Sequence, residues 1–380
     1  MDEKILLVDD DVMILSGLKR QLRNHFNIET ALSGKEALKI IKSSSPYAVV
    51  VSDFMMPGMN GVELLSMVRD TSPETIRMML TGSSDMKTAM KAVNDGNIFQ
   101  FHLKPCSVDI LRQAIKTCLE KYRKTTRSHL QVNKIKESLA DAEDVQQALI
   151  PAAPPVVEGL DLAGKTIWCD ETGGDYYDFI ECEEWSQGKI GIAVGDVSGH
   201  GISSALLMTS VRSSLREHIR GEGGPACIIA DVNKGVFRDI GDLGFFMTLF
   251  YAEADIKEKR FDWVRAGHEP AILYDSDRDL FEDLRGEGLP LGVSEDAVYT
   301  DSVKHLSPGQ VILVGTDGIK ETCNAKGEMF GKNRLKKIIR GHAQKTAKDV
   351  IAAVFDALEH FRFPLKRQDD ITLVVIKVLH

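Results

Sequence analysis

The chain has 380 residues, 43% of them hydrophobic and 27% charged, with a formal net charge of -9, which suits two or three soluble domains that each bury a core. The acidic balance argues against non-specific nucleic-acid binding, which needs clustered Lys and Arg. No apolar run approaches the ~20 residues of a membrane helix, and Met1-Asp2-Glu3-Lys4 does not open a secretory signal, so a cytoplasmic protein is expected. The six cysteines never fall in a CxxC spacing, which suggests neither a zinc site nor a disulfide scaffold.

In residues 1–122, short apolar runs alternate with amphipathic stretches. Ile5–Val8, Tyr47–Val51, Ile76–Leu80 and Ile98–Leu103 read as strands, with Asn27–Ala31 a weaker fifth. Val12–Leu22, Gly34–Ile41, Val62–Val68 and Met86–Val93 have helical spacing. The alternation predicts parallel βα units, whose functional groups gather at the carboxyl ends of the strands. Asp9, Asp10, Asp53, Thr81 and Lys104 all stand at such ends. Taken singly, an Asp after a strand is a cap or turn residue. Five matching positions predict a pocket of three carboxylates, a hydroxyl and an ammonium. Clustered carboxylates repel; a divalent cation relieves them, and hard oxygen donors point to magnesium. One carboxylate can then take a phosphoryl group as an acyl phosphate, while the lysine and threonine bind its oxygens.

These stretches resemble the response-regulator receiver family over about 120 residues: LLVDDD at Leu6–Asp11, SDFMMPGMNG at Ser52–Gly61, LTG at Leu80–Gly82 and FQFHLKP at Phe99–Pro105. The resemblance implies a flavodoxin-like doubly wound domain with Asp53 as phospho-acceptor and a histidine kinase as phosphodonor. It implies that Asp9 and Asp10, with Asp53 and the Met55 carbonyl, hold Mg2+. Thr81 and Lys104 would sense the phosphate, Phe101 would be the switch aromatic, and the Lys104–Pro105 bond would be cis.

Cys106–Ile150 contains neither Gly nor Pro and reads as the last receiver helix running into a connecting helix. A polar stretch at Lys124–His129 suggests a weak joint; unbroken, the helix would span ~68 Å at 1.5 Å per residue. Val132, Ile135, Leu139, Ala142, Val145 and Leu149 are spaced as the seam of a homodimeric coiled coil. The alternative is one helix lying along its own second domain. Residues 123–150 are therefore assigned to a helical linker. Pro151, Pro154 and Pro155 end it.

In residues 151–380, Lys189–Val194, Met247–Ala254, Val311–Val314 and Ile371–Val378 read as long strands, and Ser203–Ile219 and Pro225–Phe237 as helices. Such grouping predicts packed sheets flanked by helices. Acidic residues stand beside glycine or at strand edges in Gly173-Gly174-Asp175, Gly195-Asp196-Val197, Gly315-Thr316-Asp317-Gly318 and Asp369-Asp370. Glycine lets a backbone come close to a metal. Carboxylates from separate strands can hold two ions ~3.5–4 Å apart, with a bridging water of lowered pKa for in-line phosphoryl displacement. A lone Asp-Gly is more often a turn; the ordered set carries the weight.

The second half resembles the SpoIIE/RsbU-like branch of the PPM metal-dependent phosphatases. The matches are TGGDYYDF at Thr172–Phe179, VGDVSGHG at Val194–Gly201, RAGHEP at Arg265–Pro270, GLPLGV at Gly288–Val293, GTDGIKE at Gly315–Glu321 and DDITLVV at Asp369–Val375. The resemblance implies an α-β-β-α sandwich and a serine/threonine protein phosphatase with two Mn2+ or Mg2+. Asp196 would bridge both ions and hold the metal-bridging water, and the Val197 carbonyl would bind one. Asp317 and Asp369 would hold the other, Asp370 could share the Asp369 role, and Asp175 would bind through water. His200 is a candidate general acid, although its spacing from Asp196 departs from that of eukaryotic relatives; a structural part is the alternative, as it is for His268. The expected substrate is a phosphoprotein, an anti-sigma-factor antagonist, under control of Asp53. A rival reading, from RssB-like adaptors of the same architecture, is a catalytically silent binding module.

Overall fold

The structure is a computed structural model that describes residues 3–43, 46–82, 98–182, 188–220 and 223–379. It divides into two compact units, residues 1–136 and 137–380.

In the first unit, β1 (Lys4–Val8), β2 (Asn27–Ala31), β3 (Val49–Asp53), β4 (Ile76–Thr81) and β5 (Gln100–Leu103) form one parallel sheet in the order β2-β1-β3-β4-β5. Side chains alternate between faces, as strand geometry requires. Ile5, Leu7, Val49 and Val51 join one core, and Leu6, Val8 and Val50 the other. Burial on both faces explains why these strands read as continuous apolar runs. Helices α1 (Val12–Leu22), α2 (Gly34–Ser43) and α3 (Gly61–Thr71) follow the first three strands. Asp11 caps α1 by accepting from the Met13 and Ile14 amides, and Asn60 and Glu63 form a capping box on α3. The helix expected at Met86–Val93 lies outside the described residues. β3 and β4 run on to Asp53 and Thr81, so these residues end their strands rather than follow them.

Helix α4 runs unbroken from Val108 to Leu149. The expected joint at Lys124–His129 is corrected: Lys124, Arg127, Ser128 and His129 are exposed and Thr125 and Thr126 half-buried, and the helix runs through all of them without interruption. Polarity alone does not stop a helix that lacks Gly and Pro. Leu111, Ala114, Ile115, Cys118 and Leu119 pack into the first unit's core. Val132, Ile135 and Val145 of the expected seam are exposed.

The second unit holds two antiparallel sheets. One comprises β7 (Tyr176–Ile180), β8 (Lys189–Val197), β9 (Met247–Asp255), β10 (Arg260–Ala266) and β13 (Ser302–His305). The other comprises β6 (Leu160–Ile167), β11 (Ala271–Asp275), β12 (Leu280–Leu284), β14 (Gln310–Gly315) and β15 (Ile371–Val378). Ile190, Ile192, Val194, Phe250, Val314, Val374 and Ile376 interdigitate between the sheets. Alternate residues face outward: Ala193 and Val197 toward α5 (Ile202–His218) and α6 (Pro225–Ile240), Leu373 and Val375 toward α8 (Gly331–His342) and α9 (Ala347–Arg362). A one-turn helix, α7 (Gly318–Glu321), precedes α8. This is the expected α-β-β-α sandwich. Buried Asp178 on β7 fastens α5: Arg216 donates to both its oxygens at 2.7 Å, and Arg212 lies 3.6 Å away. Among the described residues no helix is long and apolar enough to cross a membrane.

Candidate phospho-acceptor and metal sites

The parallel sheet brings Asp9, Asp53, Thr81 and Lys104 to one rim because β1, β3, β4 and β5 are neighbours in register. Lys104 Nζ lies 2.7 Å from Asp9 Oδ2 and 2.5 Å from Asp53 Oδ1. Burial opposes the Lys104 charge, yet its bonds to Asp53 and Asp9 prevail and hold the ammonium above its ordinary pKa. Both carboxylates are buried; Asp53 also accepts from the Met55 amide at 3.0 Å and Asp9 from the Asp11 amide at 2.9 Å. Thr81 is fully buried and Asp10 is exposed. Phe101 is half-buried against the second core of this unit. The Lys104–Pro105 bond is cis. A Cβ on Gly61 would lie 2.1 Å from the Asp53 carbonyl oxygen, so only glycine lets α3 begin this close to Asp53.

In the second unit, four loops meet at one edge of the sandwich. A Cβ on Gly174 would touch the Val197 carbonyl oxygen at 2.9 Å, and one on Gly318 would strike the Asp370 carbonyl oxygen at 2.0 Å. Those close approaches require glycine and press the Asp175, Val197, Asp317 and Asp370 segments together. Asp175 is fully buried and accepts from Thr316 Oγ1 at 2.7 Å. Burial first, then Asp196 and Asp370, hold its carboxyl well above the usual carboxylate range. Burial, with Asp317, Asp369, Asp370 and Glu321 nearby, pushes Asp196 up to about 8. Burial also raises Asp369, again with Asp317, Asp370 and Glu321 close by.

Among the described residues no three acidic, His or Cys side chains converge closely enough to grip one ion together. Small hard cations need only one or two carboxylates each, completing their shell with water and carbonyls. The donors here are carboxylates plus the Val197 carbonyl, in surroundings that penalise unpaired negative charge. Their chemistry fits divalent cations.

Asp370 has backbone partners that Asp369 lacks among the described residues. Its Oδ1 accepts from the Cys169 amide at 2.7 Å, and its Oδ2 from the Gly174 and Asp175 amides at 2.8 and 3.4 Å. It thereby anchors the Asp175 loop. His200 is exposed, its Nδ1 2.6 Å from Asp170 Oδ2. His268 is buried, with Nδ1 2.8 Å from Thr248 Oγ1, and Thr248 is the cross-strand partner of Asp196. Burial lowers the His268 pKa to about 4 and keeps the ring neutral.

Sequence reasoning passed over Glu321, Gln146 and Trp168. Glu321 stands in the GTDGIKE match, four residues after Asp317 and one helical turn on, so helical spacing could have found it. Trp168 Nε1 donates to the Asp175 carbonyl at 3.0 Å. Gln146 sits on α4, far from the loop it touches in sequence, and no local pattern marks it.

A family model described as stage II sporulation protein E (SpoIIE) matches residues 186–379. A response regulator receiver domain model matches residues 5–116. The chain is 30% identical over 243 residues to phosphoserine phosphatase RsbU of Bacillus subtilis, covering 64% of this chain and 70% of RsbU. It is 26% identical over 212 residues to phosphoserine phosphatase RsbP of the same organism, covering 55% of this chain and half of RsbP's own length. Among solved structures, the SiaA-PP2C domain of Pseudomonas aeruginosa matches with TM-score 0.57 at 23% identity, covering 65% of this chain and 98% of that domain. At that identity the likeness speaks for the fold.

Proposed function

The chain belongs to the SpoIIE family, a PPM-type protein phosphatase behind a receiver domain, and we propose that phosphorylation of Asp53 controls its removal of phosphate from serine or threonine on a partner protein. The observation that carries this reading is the meeting of Asp175, Asp196, Asp317 and Asp369 at one sheet edge, with Asp196 pushed up to about 8 by burial and by its acidic neighbours. Such a site gains free energy by taking up positive charge.

Asp196, Asp317, Asp369 and the Val197 carbonyl would hold two Mn2+ or Mg2+ ions, with Asp175 acting through water. Bound divalent cations supply the Lewis acidity that activates water and balances the charge growing on phosphoryl oxygens. The protein's own part is to orient them. Thr316 fixes the Asp175 carboxylate, and Asp370 fixes the backbone on which Asp175 rides. His200, held by Asp170, would be the candidate to donate a proton to a leaving serine oxygen.

In the first unit, Asp9 and Asp10, with the Met55 carbonyl, would hold Mg2+ beside Asp53, and a histidine kinase would supply the phosphoryl group. A new phosphate brings about -1.5 to -2 charge, to which Lys104 and Thr81 respond. The substrate that the family resemblance points to is an anti-sigma-factor antagonist. The exposed Val132, Ile135 and Val145 on α4 support pairing of two copies along that helix.

Mn2+-dependent hydrolysis of p-nitrophenyl phosphate tests the catalytic reading. Losing a ligand costs more than the 10–100-fold typical of outer-shell partners, so Asp196→Ala should lower kcat/KM by at least about a hundredfold. Full activity in that variant would overturn it.

A further inference from the structure

We infer that Gln146 is a positioning residue for the Asp175 loop, and that its side-chain amide sets the cation affinity of the second unit. This deepens the metal-phosphatase reading above and rests on it.

Gln146 lies in the last turn of α4 and is 3% exposed, although both its sequence neighbours are exposed. A buried primary amide must find partners for both its donor and its acceptor. Gln146 finds both in one residue: Nε2 donates to the Gly173 carbonyl at 2.6 Å, and Oε1 accepts from the Gly173 amide at 3.1 Å. Such a two-point bond fixes a peptide in orientation as well as position. It mimics the pairing of two strands, but with a side chain in place of one strand.

Gly173 is the second residue before Asp175. The opposite side of the same loop is held by Asp370, which accepts from Gly174 and Asp175, and by Trp168, which donates to the Asp175 carbonyl. A Cβ on Gly173 would lie 2.0 Å from Trp168 Cδ1 and 2.4 Å from Asp370 Oδ2, so that side of the glycine is packed closely against the indole and the carboxylate. The glycine is thus clamped between the helix amide on one side and the indole and carboxylate on the other. Removing the amide leaves one wall of the clamp, and Gly173 keeps a buried N–H and C=O without partners. The loop then relaxes, and Asp175 loses its fixed orientation.

The experiment is calorimetric Mn2+ binding to the full chain, with hydrogen exchange of the 169–176 amides in metal-free protein as a second readout. Gln146→Ala should weaken Mn2+ binding by about 10–100-fold, the range for partners that orient a ligand. It should also speed exchange at Gly173 by about fivefold or more, the cost of one net hydrogen bond. Gln146→Asn, one methylene too short to keep both bonds, should show the same two changes with burial and polarity retained, and it decides the matter if the alanine variant misfolds. Gln147→Ala, which removes the same side chain from the exposed neighbouring position, should match the wild type. Wild-type-like Mn2+ affinity in the Gln146 variants overturns the inference. If the wild type itself binds no Mn2+, the metal reading falls instead, while the exchange result still reports whether the amide holds the loop.

Discussion

Asp370 accepts with both carboxylate oxygens from backbone amides of another loop, while Asp369 beside it accepts, among the described residues, from the Asp370 amide. Two adjacent carboxylates thus differ: Asp370 anchors a loop, and Asp369 is left for the proposed cation site. Asp370→Asn would turn an NH2 group toward amide donors and leave at least one buried N–H unpaired, a cost of about 1–3 kcal/mol. In a unit of this size that lowers Tm by about 2–4 °C per kcal/mol, measurable by calorimetric melting. Asp369→Asn should leave Tm near the wild-type value and act on phosphatase activity instead. His268 carries a pH signature. Its folded pKa, about 4, is depressed below the ordinary 6.5 by burial. Between those values the unfolded chain binds more protons than the native one, so stability is present above pH 6.5 and is lost as pH falls toward 4. His268→Asn, which can still bond Thr248, should flatten the acid limb of the stability curve over that window in urea unfolding.

Helix α4 is the element through which the proposed control would run. Its first turns are core residues of the first unit, and Gln146 near its end is buried in the second. The stretch between is largely exposed, tied to the first unit by the Arg123–Glu3 and His129–Glu74 pairs rather than by core packing. Ser128→Pro costs about 3 kcal/mol of helix, locally, and touches neither core. Basal phosphatase activity should survive that substitution while the response to phosphorylation is lost; Ser128→Ala should keep both. The exposed Val132 and Ile135 carry a separate prediction. If they form a seam between two copies, Ile135→Glu places like charges across it and should give a monomer in sedimentation where the wild type is a dimer.

At the scale of the whole molecule, the proposed switch is a change in Lys104 and its surroundings that reaches the cation site of the second unit. Phosphorylation by acetyl phosphate should shift the Mn2+ concentration for half-maximal activity in the wild type. The shift should vanish in Asp53→Asn, which cannot form the acyl phosphate, and shrink in Gln146→Ala, where α4 no longer grips Gly173. Titration of activity against Mn2+ in the three proteins reads this directly; an unchanged shift in Gln146→Ala would place the coupling elsewhere, with α5 and its Arg216–Asp178 bond next in line.

Most of the architecture was legible before any coordinates. Strand burial on both faces, the Asp residues at strand ends and the glycines that allow loops to touch are local patterns, and local patterns repeat along a chain. Alternation of apolar runs with helical spacing was enough for the parallel sheet, and the ordered Asp-Gly segments were enough for the acidic edge of the sandwich. The tertiary structure alone decided which of two adjacent aspartates is an anchor, that α4 does not break at its polar stretch, and that Gln146 holds Gly173. The reason is physical. A hydrogen bond between residues 27 positions apart, or 196 apart in the case of Asp370 and Gly174, leaves no periodicity in the sequence, because its geometry exists only after both partners have been carried together by the packing of everything between them.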